Sequence, residues 1–559
     1  MQSASEILAA AVEQALGGPA LLAPCANPQF GDYQANGVMA LAKKTKQNPR
    51  QLAAAVVAKL QLDDVCEPPT VAGAGFINFR LKPEFVARQI TATAHDDRLG
   101  VPVATPAKTI VIDFSSPNVA KPMHVGHIRS TIIGDCLARV LRFLGHRVIT
   151  DNHIGDWGTQ FGMLIVGWKR FRNDAALAAD PIAELERLYK FVNEKPELRD
   201  EAKAELVKLQ QGDAENRAIW ERIIALSQQE FEKIYRRLGV TFDHTLGESF
   251  YNPMLPEVVA DLKQRGLAVE SDGAQCIFFE GQQTPLIVQK ADGAFLYGTT
   301  DLATLKYRLD RWHPDEIVYV TDARQKLHFE QVFAAARKWL PAVPDLRHVW
   351  FGSILGSDGK PLKTREGAPV KLGALLDEAE ERAWAIVNAK NPELPEDVRR
   401  QIARAVGIGA VKYADLSQNR TTDYVFSWDK MLALTGNTAP YLQYAYVRVQ
   451  SIFRKAGREG ESPAEPQPIT LPHPAELDLA KHLLRFPETL QAVADDDKPN
   501  WLTGYLYDLT GKFSTFYENC PVIQSAEPTR SSRLRLCQLT AAVIKQGLHL
   551  LGIEVIEAM

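Results

Sequence analysis

Polar and apolar positions follow a helical period at the very start of the chain. "MQSASEILAAAVEQALGG" reads as an amphipathic helix, with Glu6 and Glu13 on its polar side and two glycines as its stop. "QLAAAVVAKLQ" (51–61) keeps that period, whereas "AGAGFINFRL" (72–81) alternates as a strand does after a glycine turn. "DDRLGVPVATPAK" (96–108) has two prolines, a glycine and no period, and reads as a linker. "TIVIDFS" (109–115) is an apolar, β-rich run, followed by a loop holding Pro117 and Pro122. A helix is predicted from near Val125, because Ile128, Ile132, Cys136, Val140 and Leu144 recur at helical spacing before Gly145. "RVITDN" (147–152) is a second strand, and strand–helix–strand within this span is a βαβ unit, whose sites lie at the strand C-termini.

Residues 181–236 are charged and helical and read as an insertion into this unit. "AFLYGTTDLATLKYRL" (294–309) and "EIVYVTDARQKLHFEQVFAAARKWL" (316–340) resume the strand-then-helix order. From about residue 377 the pattern is almost wholly helical, broken by a polar, proline-rich loop at 457–476. The expected organisation is an N-terminal α+β module (1–105) and an α/β, Rossmann-type core (106–376) with a helical insertion at about 170–245. A helical connection (377–429) and a C-terminal all-α bundle (430–559) complete it.

Composition changes this picture only at its margins. A chain of 559 residues is too long for one core. The formal net charge of −4 means that any polyanionic partner must be held by local patches. Six cysteines at 25, 66, 136, 276, 520 and 537 have no paired spacing, which fits a reducing cytoplasm and leaves no zinc knuckle. The N-terminus lacks the basic, apolar pattern of a signal peptide, and no apolar run approaches the ~20 residues of a membrane span.

The chemistry concentrates in "NVAKPMHVGHIRS" (118–130). A bare H-x-x-H pair is commonly two exposed helix-terminal residues, and no cysteine or third histidine stands near to complete a zinc tetrahedron. The strand end and helix start around His124 and His127 nevertheless form an anion site, where backbone N–H groups and the helix dipole face the ligand. Gly126 leaves room there for a base or phosphate, and imidazoles can donate to phosphoryl oxygens as charge shifts.

"HVGH", with "SSPNVAKPM" before it and "IRSTIIGD" after it, resembles the HIGH signature of class I aminoacyl-tRNA synthetases, in the form found in arginyl-tRNA synthetases. The similarity continues through "NHIGDWGTQFGMLI", "LGESFYNPM", "LYGTTDLATLKYR", "DARQKLHF", "GKPLKTREG" and "GNTAPYLQYAYVRVQ", and at the N-terminus through "FGDYQANGVMALAKK" and "GAGFINFRL", so it covers essentially the whole chain. It implies activation of L-arginine by ATP, with Mg2+ accompanying the nucleotide, and transfer of the arginyl group to tRNA(Arg). A cytoplasmic monomer with no membrane contact and no bound zinc is expected.

By the same resemblance, His124, Gly126 and His127 contact ATP. Asp113, Glu248, Tyr297 and Asp301 grip the guanidinium, while Asn118 and Gln325 contact the amino acid, chiefly its α-ammonium end. A guanidinium fork calls for carboxylates that match it bidentately, and Tyr297 and Asp301, at i and i+4, share a face if a helix begins there. Phe76 and Asn78 match residues that hold the tRNA elbow, and Tyr441, Ala445 and Met559 match positions at the anticodon. The second synthetase motif, KMSKS, corresponds to "GSDGKPLKTREG". One register keeps both Lys360 and Lys363 as its lysines; the other, which fits better, puts Thr364 where the critical lysine belongs and hands the missing charge to Lys121. Two rival readings remain: an H-x-G-H adenylyltransferase that needs no tRNA, and a non-catalytic paralogue that binds tRNA.

Overall fold

The computed structural model describes residues 2–363, 369–457 and 468–557. Its N-terminal module folds the helix Ala4–Leu16, capped by Ser3 and ended by Gly17 in a left-handed turn, against an antiparallel sheet. The strands of that sheet lie in the order Leu22–Pro24, Tyr33–Ala35, Phe76–Phe79, Thr70–Ala72.

The core is a parallel sheet in the order Asp345–His348, Glu316–Tyr319, Thr109–Asp113, Arg147–Asp151. Alternate residues enter different cores: Ile110 and Ile112 pack with the signature helix Val125–Phe143, while Val111 packs on the other face with the helices Leu255–Gln264, Tyr297–Trp312 and Lys326–Trp339. Burial on both faces explains why these strands read as continuous apolar runs. The register puts Asp151, Asp113, Tyr319 and His348 in one row across the strand ends. The first core strand lies between the second and the third, so the chain reverses its winding between Asp113 and Tyr319, where α/β sheets open a crevice.

One element sits elsewhere than expected. The run before Tyr297 is not a core strand: Phe295 makes a single bridge to Gln289, and the strand is Leu286–Gln289, in a separate antiparallel sheet with Ala274–Ile277 and Val269–Ser271. Gly293, at φ +85°, turns the chain back on that strand and leaves only a short connection before the helix.

The inserted segment contains the helices Pro181–Asn193, Arg199–Gln210 and Ala214–Leu238, which pack on Gln160–Phe171. Among the described residues the C-terminal region from Leu372 is all-α apart from Tyr424–Val425, which pairs back with Ile354–Leu355. The helices Leu372–Lys390 and Glu396–Leu416 lead to the bundle of Ala439–Lys455, Pro474–Leu483, Phe486–Asp496, Asn500–Asn519 and Thr529–Leu550. The bundle grips the N-terminal module through Lys481–Asp32 (2.8 Å) and Tyr33 Oη–Glu488 (2.7 Å).

Candidate active site and tRNA-facing surfaces

The loop between the first core strand and the signature helix is held in an unfavourable shape. Ser115, Ser116 and Ala120 have φ of +75°, +48° and +62°, a region that costs a non-glycine residue about 1 kcal/mol or more. Surrounding bonds over-determine it. The Ser115 amide donates to Ser130 Oγ (2.8 Å), that of Ser116 to Asn152 Oδ1 (3.0 Å), and that of Ala120 to Ser227 Oγ (3.0 Å) on the insertion helix Ala214–Leu238.

The two histidines begin the signature helix by capping each other. His124 is the N-cap, its Nδ1 accepting from the Gly126 amide (3.0 Å), while His127 Nδ1 accepts from the His124 amide (3.1 Å). An Nδ1 that accepts from an amide carries no proton, so each neutral ring keeps its proton on Nε2 and has that N–H left to donate. Burial, then the charge of His124, lowers His127 to about 4; burial, Arg324 and Lys121 lower His124. At neutral pH both rings are therefore uncharged donors. A Cβ at Gly126 would stand 2.8 Å from the His124 ring, so the glycine also allows the ring to fold back onto the helix start.

The segment downstream of the second motif closes on this turn. Val125 donates to Val370 O (2.9 Å) and Leu372 to Met123 O (2.8 Å). Leu362 N donates to Ile354 O (3.0 Å), and Lys363 bridges to Pro369, so the lysine-bearing loop leads directly into the strip beside the histidines. Thr364 and Arg365, on which the alternative register turns, lie outside the described residues. Lys121 is exposed, with its ammonium 5.6 Å from the centre of the Tyr189 ring on the inserted helices.

At the ends of the strands opens a pocket of about 420 Å³. Asp113, Asn118, Glu248, Tyr297, Asp301 and Gln325 all line it. The helix begins at Tyr297, which puts Tyr297 and Asp301 on one face. The six differ in freedom. Asp113 is already committed: Arg308 Nη2 donates to its Oδ2 (2.6 Å) and to Asp151 (2.9 Å), and Ser116 Oγ donates to its Oδ1. Asp301 meets His328 Nε2 at 2.5 Å; burial opposes charge on that imidazole, but the carboxylate outweighs it and holds the ring above its usual value. Among the described residues no cation acts on Glu248. Burial, then the charges of Asp156 and Asp301, pushes it up to about 8.

Asp156 and His328 were not singled out from the sequence, although both fall inside motifs that carried the resemblance. Asp156 positions Glu248 by accepting from the amide and hydroxyl of Ser249 (2.7 and 2.6 Å). Arg324, at the start of the next helix, adds a cation to the field at His124.

Comparison with known proteins agrees with this geometry. Residues 89–428 match the family model described as tRNA synthetases class I (R), catalytic domain; residues 2–81 match Arginyl tRNA synthetase N terminal domain, and 442–559 match DALR anticodon binding domain. The arginine–tRNA ligase of Hahella chejuensis is 50% identical over 559 residues, covering 97% of this chain and 96% of that protein. The chain belongs to the class I arginyl-tRNA synthetases. The arginyl-tRNA synthetase structures from Plasmodium falciparum (31% identity, 99% of this chain and 98% of that one) and Thermus thermophilus (25%, 99% and 100%) both superpose with a TM-score of 0.86.

In this family member the residues expected at tRNA differ in accessibility. Phe76 is half-buried at the start of its strand; Asn78 is buried, its side-chain oxygen accepting from Gln34 Nε2 (2.8 Å). Asn78 therefore ties the two inner strands of the sheet together and reaches an elbow base only if Gln34 lets go. On the helix Ala439–Lys455, Tyr441 is half-buried with its ring 6.0 Å from that of Tyr507, and Ala445 is buried beneath it. Tyr444, from the same tyrosine-rich stretch as Tyr441, and Tyr507 are more open and offer a stacking surface. Met559 lies outside the described residues.

Proposed function

We infer that the chain activates L-arginine with ATP and passes the arginyl group to tRNA(Arg). In the first step a carboxylate oxygen of arginine attacks the α-phosphorus, the bond to the β-phosphate bridge breaks, and pyrophosphate leaves. In the second, a hydroxyl of the terminal adenosine attacks the activated carbonyl and AMP departs. Both steps depend on positioning and on donors aimed at spreading negative charge.

The Nε2–H groups of His124 and His127, together with the signature helix N-terminus, supply such donors at the nucleotide. Lys121 and the loop lysines Lys360 and Lys363 supply cations around the triphosphate. Glu248 and Asp301 take the guanidinium with Tyr297, Asp113 serves as a pre-paired wall, and Asn118 and Gln325 face the ammonium end. Magnesium would accompany ATP and add positive charge at its phosphates. The N-terminal module and the C-terminal bundle take the elbow and anticodon arms. The working form is a cytoplasmic monomer, and no helix among the described residues is long and apolar enough to cross a membrane.

The observation that carries this reading is a carboxylate-lined pocket at the strand ends, together with two neutral, mutually capped histidines that begin the helix after the first core strand. Arginine-dependent ATP–pyrophosphate exchange with and without tRNA tests it. Exchange that needs both arginine and tRNA, followed by charging of the tRNA, is expected. Exchange without tRNA and without charging would favour the adenylyltransferase, and binding without exchange the non-catalytic paralogue.

A further inference from the structure

Lys412 is a fully buried lysine far along the chain from the histidines, on the helix Glu396–Leu416. Its ammonium donates to Leu238 O (2.7 Å) and Gly552 O (2.6 Å) and stands 3.9 Å from Asp135. Leu238 ends the insertion helix, and Gly552 follows the last helix of the bundle. Both carbonyls lie at helix C-termini, which lack intrahelical donors and carry the negative end of the dipole. Asp135 is on the signature helix and binds Arg139 (2.8 Å), whose other nitrogens reach Gly239 O (2.6 Å) and His549 O (3.4 Å) at the same two termini. Two cations and one carboxylate thus tie the C-terminal tail, the insertion helix and the signature helix together.

The tail is also fastened from the opposite side. Buried Gln443 donates to Glu554 O (2.7 Å) and Ala405 O (3.2 Å), and it lies on the helix of Tyr441, within the segment matching the anticodon-binding family model. At Gly552 (φ +67°) any Cβ would collide with the Lys412 ammonium and with Asp135, so the chain can pass there only as glycine. The insertion helix in turn holds the strained loop before the histidines, through Ser227 to Ala120 and Tyr235 to Ser115 (2.8 Å). Burial, the largest influence, lowers Lys412 to about 8, with Asp135 acting the other way, so this ammonium is kept inside the protein at an energetic cost.

We propose that Lys412 is a positioning residue that ties occupancy of the anticodon-facing surface to the placement of His124 and His127. A tail displaced by an anticodon base moves Gly552 O, and through Lys412 and Asp135 the change reaches the signature helix and the loop ahead of it. This rests on the synthetase reading given above.

The test compares kcat and KM for charging tRNA(Arg) and the same tRNA with one anticodon base replaced, in wild type, Lys412→Met and Arg139→Gln. Arg139 is only half-buried, so its variant keeps the test open should Lys412→Met not fold. Wild type is expected to lose both kcat and affinity on the altered tRNA, the kcat part by about tenfold, the scale of a modest coupling. In the variants kcat on the native tRNA falls toward that on the altered one, their ratio approaches one, the tRNA KM difference persists, and the arginine and ATP KM values stay put. A ratio unchanged from wild type, or a wild-type ratio of one, overturns the proposal. Absence of charging by wild type would instead overturn the functional reading.

Discussion

The Glu248 carboxyl should make arginine binding depend steeply on pH. Burial and two neighbouring carboxylates raise it to about 8, and no cation among the described residues compensates. A guanidinium arriving beside it favours the ionised form, so the bound state has the lower pKa and binding expels a proton. Affinity must then rise with pH up to the free-state pKa and level off above it. For one proton the apparent KM scales as 1 + 10^(pKa − pH), so KM for arginine should fall about fivefold between pH 7 and pH 8 and climb about threefold from pH 7 to pH 6.5. At pH 7 the protonated resting state withholds about 1.4 kcal/mol of binding. Calorimetry in buffers of different ionisation enthalpy should find about 0.9 proton released per arginine at pH 7 and about half a proton at pH 8.

The other groups facing Glu248 are Asp156, Asp301 with its partner His328, and Tyr297. Of these, His328 is held above its ordinary value by the Asp301 carboxylate. Glu248→Gln should raise the arginine KM by about ten- to a hundredfold, the loss of a charged hydrogen bond, and flatten its pH profile. A flat wild-type profile refutes the reasoning. So does a Glu248→Gln profile as steep as wild type, which would put the proton on the His328–Asp301 pair.

Lys121→Ala should lower kcat for adenylate formation by about two orders of magnitude, the loss of one transition-state donor, with the arginine KM nearly unmoved. Lys363→Ala should be milder; stopped-flow or exchange kinetics showing the reverse order would return the critical charge to the loop. Asp301→Asn should raise the arginine KM about ten- to a hundredfold and the ATP KM much less, and equal effects on both would exclude a guanidinium contact. Tyr441→Ala should raise the tRNA KM about fivefold or more through lost stacking, leaving the arginine KM alone; an equal change in both would move Tyr441 away from the anticodon.

Periodicity and punctuation made much of this architecture legible. Gly145, Pro117 and the spacing from Ile128 to Leu144 located the signature helix, and the apolar strand before it was recognisable because both faces of the sheet are buried. Misplacing a strand before Tyr297 has a simple cause: "AFLY" has strand composition, and only a non-local pairing with Ala274–Ile277 makes Leu286–Gln289 the strand instead. The mutual capping of His124 and His127 was out of reach because histidine is not a usual capping residue, so propensity gives no hint of it. Asp156, His328 and Lys412 share another difficulty: their roles come from partners brought together by the fold, so that even a place inside a recognisable motif, as for Asp156 and His328, does not reveal them.

Arg308 gives a physical reason for the acids at the strand-end pocket. This fully buried arginine fills a guanidinium site of the protein's own, between Asp113 and Asp151 at the ends of adjacent strands and over the Tyr319 ring (5.3 Å). A buried guanidinium is tolerable only with such partners, and removing one would strand a charge at a cost of about 3–5 kcal/mol. Asp113 therefore serves an internal arginine first and turns only its remaining capacity toward the pocket. Glu248 and Asp301 lie beyond it, one without a cation and the other with a histidine that can give up its proton. A second guanidinium placed there would meet what Arg308 already has, carboxylates and a phenol in a desolvated site. A lysine side chain would offer one point charge where a planar fork is required. On the proposed reading, selectivity for arginine would follow from a pocket whose permanent guanidinium has taken the inner carboxylates and left the outer ones for the substrate.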